Sequence, residues 1–513
     1  MKKNYLIIGI IAGMFFVSCK KWGDHIDINN PSSNKTLMEQ ISDNADLSVF
    51  ADYLKKAGLD SLLNSSKNFT VFAPDNSAMK SLPSSIVSDA SQLKALLLNL
   101  ISGKAYYTRD EADTLRIAML NGKRVSFRNN QFDDANILTG DAVARNGVLH
   151  IVDKAIVPLP NIWEFINQEK GDYSQNAYIA SLNYLGQDPN LAEVDSINPA
   201  TGEPVYKPNT GIVEINTYRT GVYDIANEDS LYTYILLTND AFNSQKISME
   251  PYFKAGSEDT SALNASWSVV RDLTVSGLYT ADRLSPALVS KFGVHITLDP
   301  SSVITTRKMS NGIVYIVDNA SIPVSEKIPT VYVQGETPVD FSSTSATTLA
   351  KIFYRERSNP LTGQAFQDIY MNLGSSGANF YADYVTNDLY TTRYKVYWVA
   401  LNDHVISGQG DDSYGTDSTL DQIIKISPYN SPDSILFNAT GTVQPNTYSE
   451  TYIGDFTNNN YNWLLSYPLQ MPDGTSYLLN PATINIRLQA PASAVGRPYN
   501  LTLDYLKFVP VFN

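Results

Sequence analysis

Apolar and polar positions along the chain change rhythm three times. Tyr5 to Val17 is a nearly unbroken apolar run behind Lys2 and Lys3. It is far shorter than the ~20 residues a membrane-spanning helix needs. A positive start followed by a short apolar segment is the layout of an export signal, expected over residues 1–18. From residue 46 the spacing turns helical: Leu47, Phe50 and Leu54 fall on one face. Asp46 is placed to cap that helix, and Lys55, Lys56 and Gly58 suit its end. "FTVFAP" reads as a buried strand stopped by Pro74, after which Asp75 can cap a helical turn, "DNSAM". "GVLHIVDKAIV" follows Asn146-Gly147 and reads as paired buried strand segments after a tight turn. Beyond residue 331 the rhythm shortens to strand-like runs such as "RYKVYWVALN", "IIKISPY", "ATINIRLQA" and "YNLTLDYLKFVPV". Asn-, Gly- and Pro-rich turns separate them, which is the pattern of an antiparallel β-sandwich.

Two of the earlier segments occur twice. "TVFAPDNSAM" (70–79) aligns with "TYILLTNDAF" (233–242), where Thr238 takes the capping position. "NGVLHIVDKAIVP" (146–158) aligns with "NGIVYIVDNASIP" (311–323). The offsets are 163 and 165 residues, so the register is nearly constant and the chain holds two copies of one fold.

Composition narrows the function classes. The chain has 513 residues, enough for about three domains, and a formal charge of −14. Removal of Lys2 and Lys3 with the signal takes the mature chain to about −16. No basic block exists beyond the short "CKK" step, so the phosphate contacts of nucleic-acid binding have no source. Residues 19–35, "CKKWGDHIDINNPSSNK", are polar and read as a tether.

Cys19 is the only cysteine, and it ends the motif "FVSC". That motif resembles the lipobox of bacterial lipoproteins, with Phe16 where Leu is commonest. The resemblance implies cleavage before Cys19 and acylation of its thiol and new amine. Three chains of about fifteen methylenes, at about 0.8 kcal/mol each, amount to on the order of 36 kcal/mol of membrane attachment. Asp24 and Asp27 resemble the acidic residues that follow the lipidated cysteine in surface-displayed lipoproteins of Bacteroidota. The other reading is a plain signal peptide that is removed together with Cys19.

"TVFAPDNSAM" and "NGVLHIVDKAIVP" resemble the two signature boxes of the fasciclin (FAS1) domain, a mixed α/β fold. The resemblance covers 36–159 well and 160–328 more loosely, since Leu236 and Leu237 replace the Ala-Pro of the box. A Pro-, Asn- and Asp-rich stretch near 188–230 reads as an insertion. The Asn-His pair frequent on the family's central helix is absent; Asn99-Leu100 stands there. The resemblance implies adhesion or binding and supplies no catalytic residue.

The expected architecture is multidomain α+β: a signal at 1–18, a tether at 19–35, fasciclin-like domains at 36–159 and 160–328, and a sandwich at 329–513. The sandwich ending resembles the last strand of galactose-binding-like, jelly-roll carbohydrate modules. Seventeen of the 32 tyrosines lie in this part. Most tyrosines on strands pack or sit half-exposed, but exposed rings stack on sugars or grip peptides. Trp398, Tyr461 and Trp463 are the ligand-binding candidates. Asp411, Asp412, Asp417 and Asp421 form an acidic loop whose spacing departs from an EF-hand, so no metal is assigned. Of four histidines, His25 is in the tether, His404 precedes the acidic loop, and His150 and His295 lie in apolar strand contexts that suit core roles. No nucleophile elbow, zinc-protease or phosphate-loop motif occurs. The expectation is a non-enzymatic protein without cofactor. By resemblance to accessory lipoproteins of SusC/SusD-type uptake loci, it is anchored in the outer membrane, faces outward, and binds a glycan or peptide or docks on the transporter. An adhesin for host matrix or other cells is the alternative, and a glycan-active enzyme with an unrecognised site is a third.

Overall fold

The computed structural model describes residues 34–512 except 111–114, 129, 285, 360–361, 404–418, 429–430, 462–468, 471–475, 478–483 and 495–496. The signal, Cys19 and nearly all of the tether therefore lie outside the described residues. The chain divides into two compact units. One holds the residues up to Ile162 with 227–230 and 308–311, and the other holds 163–226, 231–307 and 312–513.

The first unit begins with two helices, α1 (Leu37–Asp43) and α2 (Ser48–Lys56). A capping box starts α1: Thr36 accepts from the Glu39 N–H while Glu39 returns to the Thr36 N–H. Asp46 does not cap α2 as the sequence suggested. Asn44 caps a 3₁₀ turn over Ala45–Leu47, and α2 continues from it with no side-chain cap. The other end is as expected, with Gly58 at φ +70 just past α2. Strand β1 (Phe69–Pro74) is buried throughout and leads to α3 (Asn76–Lys80), capped by Asp75 at the Ala78 N–H. Helix α4 (Ala90–Leu98) follows. Six more strands complete the sheet: β2 (Ile101–Ser102), β3 (Leu115–Ala118), β4 (Arg124–Arg128), β5 (Gln131–Phe132), β6 (Ala135–Ala144) and β7 (Gly147–Val152). The order is β2-β1-β7-β6-β5-β4-β3, with β1 and β7 parallel and the other pairs antiparallel. Phe72, Phe127 and Phe132 fill its core beside Phe50 and Leu97 of the helices.

In the second unit, helix Ser174–Ser181 leads into a nested ribbon where the insertion was expected. Strands β8 (Asn183–Gln187) and β11 (Ile212–Asn216) pair around β9 (Val194–Ile197) and β10 (Pro204–Tyr206). Next come β12 (Tyr232–Leu237), β13 (Thr274–Ser276), the short pair β14 (Leu288–Val289) and β15 (His295–Ile296), β16 (Val303–Met309) and β17 (Gly312–Val317). They form the order β13-β12-β17-β16, which repeats β2-β1-β7-β6. Strands β12 and β17 are parallel from Tyr232↔Gly312, as β1 and β7 are from Phe69↔Gly147.

The repetition extends to single side chains. Thr70 donates to the Lys104 carbonyl and accepts from the Tyr106 N–H; Thr233 does the same with Gly277 and Tyr279. Asn76 accepts from the Val49 N–H and donates to the Ala45 carbonyl, as Asn239 does with Ser174 and Asp172. Thr238 caps helix α5 (Asn239–Met249) as Asp75 caps α3. Each of these pairs is 163 positions apart, and each bonds backbone groups of its own neighbourhood. Helix α6 (Glu258–Val270) completes this part.

The rest of the second unit is all-β. Its strands are β18 (Val331–Gln334), β19 (Asp340–Phe341), β20 (Ile352–Ser358), β21 (Ala365–Met371), β22 (Tyr381–Thr386), β23 (Arg393–Val399), β24 (Leu420–Pro428), β25 (Phe437–Val443), β26 (Thr451–Thr457), the pair β27 (Leu469–Gln470) and β28 (Ser476–Tyr477), β29 (Ile484–Gln489), β30 (Leu501–Leu503) and β31 (Tyr505–Val511). They form a four-stranded sheet β18-β31-β23-β26, a five-stranded sheet β19-β22-β29-β24-β25 and a three-stranded sheet β20-β21-β30, all antiparallel. Inward residues of all three, among them Trp398, Phe508, Ile424, Ile486, Ile369 and Leu503, share one core. This is the β-sandwich that the short alternating runs predicted.

The expected boundary at 328/329 falls inside the second unit, and local contacts explain why. The Thr391 N–H donates to the Tyr252 carbonyl, and the Thr391 hydroxyl donates to the Pro251 carbonyl. The Phe253 ring meets Tyr390 and Tyr461 edge-on at 5.4 and 4.9 Å.

Candidate functional site

Of the three aromatic candidates, Trp463 lies outside the described residues. The other two do not offer rings to a ligand. Trp398 is 1% exposed, because its position on β23 is an inward one in the alternation Tyr394, Val396, Trp398. Tyr461 is 9% exposed and stacks on Tyr390 at 5.0 Å with Phe253 at its edge. Burial holds its hydroxyl well above the ordinary phenol range. Both are packing residues.

Asp411, Asp412, Asp417 and His404 also lie outside the described residues. Asp421 stands on β24, where it accepts from Thr442 and Arg497 at 2.7 Å each. Among the described residues no group of three or more His, Cys, Asp or Glu is arranged to hold a metal ion. His150 is fully buried and stacks on Phe72 at 5.0 Å. Its Nδ1 accepts from the Asp141 N–H, so Nε2 carries the proton toward the Tyr106 carbonyl. It is a core histidine, as its apolar context indicated. His295 departs from the same expectation: its side chain is 55% exposed and sits 2.9 Å from Glu326.

The sandwich carries a recessed polar row that the sequence reading missed. In β22, Ala382 and Tyr384 point to the core, which turns Tyr381 and Asp383 outward; in β29, Ile486 and Leu488 point in and Arg487 and Gln489 out. Register brings Asp340, Asp383, Arg487, Lys425 and Asn438 into line across all five strands, about 19 Å at the usual strand spacing. The signal was present in the strict alternation of "YADYVT" and "INIRLQ", but alternation alone does not say which strands are neighbours.

At the centre of the row Asp383 grips Arg487 with two 2.7 Å bonds, from Nε and Nη2. The guanidinium lies 3.5 Å from the centroid of the Tyr381 ring. Bonding to Asp383 holds the Arg487 guanidinium above its ordinary range, against the opposing effect of partial burial. The Asp383 bonds use two of five N–H donors. The other three stay on a planar group that cannot rotate away, with its side chain 27% exposed. Lys425 and Asn438 continue the row on one side, and Gln489 and Thr440 lie in the adjacent one. The arrangement offers fixed hydrogen-bond donors beside a ring, which suits a hydroxyl-rich or carboxylate-bearing ligand.

A second charged cluster is structural. Arg355 bonds Asp368 and Asp403, and Arg357 and Tyr448 also reach Asp403. Arg355, Asp368 and Asp403 have side chains no more than 3% exposed, so no ligand reaches them.

Comparison with known proteins bears on the first unit. Protein sll1483 of Synechocystis sp. (strain ATCC 27184 / PCC 6803 / Kazusa) is 28% identical over 137 residues, 25% of this chain and 75% of that protein. A FAS1 domain pair from the insect cell adhesion molecule fasciclin I is similar over 54% of this chain and 96% of that one, at 14% identity and a TM-score of 0.21. CsCBM6-3 from Clostridium stercorarium, in complex with cellobiose, is similar over 35% of this chain and 94% of that one, at 11% identity and a TM-score of 0.17. At such values the solved structures carry no argument about this chain. Residues 45–158 match the family model of the fasciclin domain, and the first unit therefore carries a fasciclin domain.

Proposed function

We propose that this chain is a lipid-anchored binding protein of the outer membrane that holds a nutrient ligand, a glycan before a peptide, on the five-stranded face of its sandwich. The observation that carries the reading is the Arg487 fork, fixed by Asp383 and laid on Tyr381, at the centre of a polar row. A rigid donor array loses little entropy when it binds hydroxyls, so a modest site of this kind still holds its ligand. Attachment through acylated Cys19 would keep the body at the membrane, facing the exterior. Docking on a SusC/SusD-type transporter would give the captured ligand a route inward.

The fasciclin domain at 45–158 favours a second reading, adhesion to host matrix or other cells. One experiment separates them. The full chain is expressed with a C-terminal tag, its outer membrane solubilised in detergent, and co-purifying proteins identified by mass spectrometry beside the acylation state of Cys19. A stoichiometric transporter pair supports uptake. An acylated protein that emerges alone, and whose cells bind matrix proteins, supports adhesion and sinks the transporter reading.

A further inference from the structure

The opposite, four-stranded sheet carries a row of a different kind. Its core side is Val331, Val333, Leu506, Phe508, Val396 and Phe456. The intervening positions face away, and register sets four of them in line: Tyr332 on β18 opposes Lys507 on β31, which opposes Tyr397 on β23, which opposes Tyr452 on β26. The row spans three strand spacings, about 14 Å, roughly three sugar rings end to end. Tyr332 and Tyr452, on the two edge strands, are 50% and 51% exposed. Lys507 Nζ sits between rings, 5.8 Å from the Tyr332 centroid and 5.9 Å from that of Tyr397.

Three polar tips on this face, those of Lys507, Tyr505 and Tyr452, are already committed. Glu450 binds Lys507 at 2.8 and 2.9 Å and accepts from the Tyr505 hydroxyl at 3.0 Å. The Tyr452 hydroxyl donates to Asp455 at 2.8 Å. These bonds hold the Tyr452 and Tyr505 rings and neutralise the lysine, so Lys507 adds no unpaired charge to the row.

We propose that this face is a second glycan site, for a single soluble chain of neutral, β-linked sugars. Four features select that ligand. Exposed ring surface stacks on the apolar faces of pyranoses, the Lys507 charge is balanced by Glu450, and the row is straight along the strand-crossing direction. The fourth is tilt: Tyr397 and Tyr452, neighbours in the row, are inclined to each other by 60°. Rings so inclined share no plane and cannot lie on a flat crystalline polymer, whereas a lone chain turns to meet each in succession. The proposal rests on the reading that the sandwich binds glycans, and adds a second, differently built surface to it.

The test uses the full chain without its signal in native gels containing soluble xylan or mixed-linkage β-glucan, with microcrystalline cellulose in a parallel sedimentation assay. Three proteins are compared: the parent, Tyr332→Ala/Tyr452→Ala, and Tyr381→Ala/Arg487→Ala. The tyrosines of the first pair are half exposed, so their loss spares the core; circular dichroism checks this. The expected result is retardation of the parent, a loss of affinity of at least about tenfold in Y332A/Y452A for one polysaccharide, and no binding to cellulose. If the parent is retarded, Y332A/Y452A behaves as the parent and Y381A/R487A loses retardation, the second site is wrong and the function stands. If the parent is not retarded by any glycan, the glycan reading of the sandwich and this proposal fail together. A dimer in sedimentation that Y332A/Y452A dissolves would show the face to be occupied by a second copy and overturn the proposal.

Discussion

The Trp398 indole occupies the space that a side chain at residue 441 would need: a Cβ on Gly441 would come within 2.3 Å of the indole Cζ2. The two residues lie on β23 and β25, and the glycine is what lets the largest ring of the sandwich core close against the neighbouring sheet. Gly441→Ala is expected to cost about 1–3 kcal/mol by overpacking. Trp398→Ala should cost about 3–5 kcal/mol through the cavity it leaves. Urea denaturation followed by far-UV circular dichroism measures both; a wild-type midpoint for G441A would show that the ring moves aside freely.

That pair also shows where the sequence was legible and where it was not. The duplication was readable because each box carries residues that bond their own neighbourhood: Thr70, Asp75 and Asn76 in one copy, Thr233, Thr238 and Asn239 in the other. Local chemistry leaves a local pattern. The sandwich was readable as a class because period-two alternation needs only one strand at a time. The site was not. Arg487 and Asp383 are 104 positions apart, and their pairing follows from strand order, which no single strand encodes. Trp398 has the residue type of a ligand-binding ring, but the alternation Tyr394, Val396, Trp398 places it on the face shared with core residues.

Lys327 and Asp272 form an ion pair with no side-chain exposure on either partner. Lys327 also donates to the Ser268 carbonyl, and Asp272 accepts from Ser290 at 2.7 Å. Removing Asp272 leaves the buried Lys327 ammonium without its counterion, and removing Lys327 leaves Asp272 with only the Arg271 guanidinium at 3.6 Å. Lys327→Met or Asp272→Leu alone should cost about 3–5 kcal/mol, while the double substitution K327M/D272L should cost clearly less than the sum. A double-mutant cycle by chemical denaturation reads the coupling. Additive losses would mean that the pair contributes nothing beyond its separate contacts.

Asp504, just before β31, has its carboxyl pushed up to about 7, first by burial and then by the nearby charges of Asp368 and Glu336. A raised pKa means that the folded state holds this proton more tightly than the unfolded chain does. The stabilising contribution is therefore complete below about pH 4, where both states are protonated. It declines as pH rises from about 4 to 7. Asp504→Asn should match the parent at pH 4 and exceed it by about 1–2 kcal/mol at pH 8. Thermal melts at both values decide the matter; an Asn variant weaker than the parent at pH 8 would mean that the ionised carboxylate does useful work in the fold.

The Arg487 fork makes a prediction that separates charge from shape. Arg487→Lys keeps the positive charge and the pairing with Asp383, but an ammonium is a point donor on a flexible stem and cannot hold two parallel bonds or lie flat on Tyr381. If ligand is held by the fixed donors, R487K should lose affinity almost as far as R487A, about tenfold or more, with little change in thermal stability, since the pair is partly exposed. If instead the face works only by its charge, R487K should bind as the parent does, and affinity should fall steeply with added salt. Calorimetric titration of both variants with whichever soluble polysaccharide retards the parent, at low and high ionic strength, distinguishes the two. Asp383→Asn provides the complementary check. It leaves the guanidinium in place but frees it to rotate, so a loss of affinity in D383N with Arg487 intact would identify orientation, and not the donor alone, as what the site supplies.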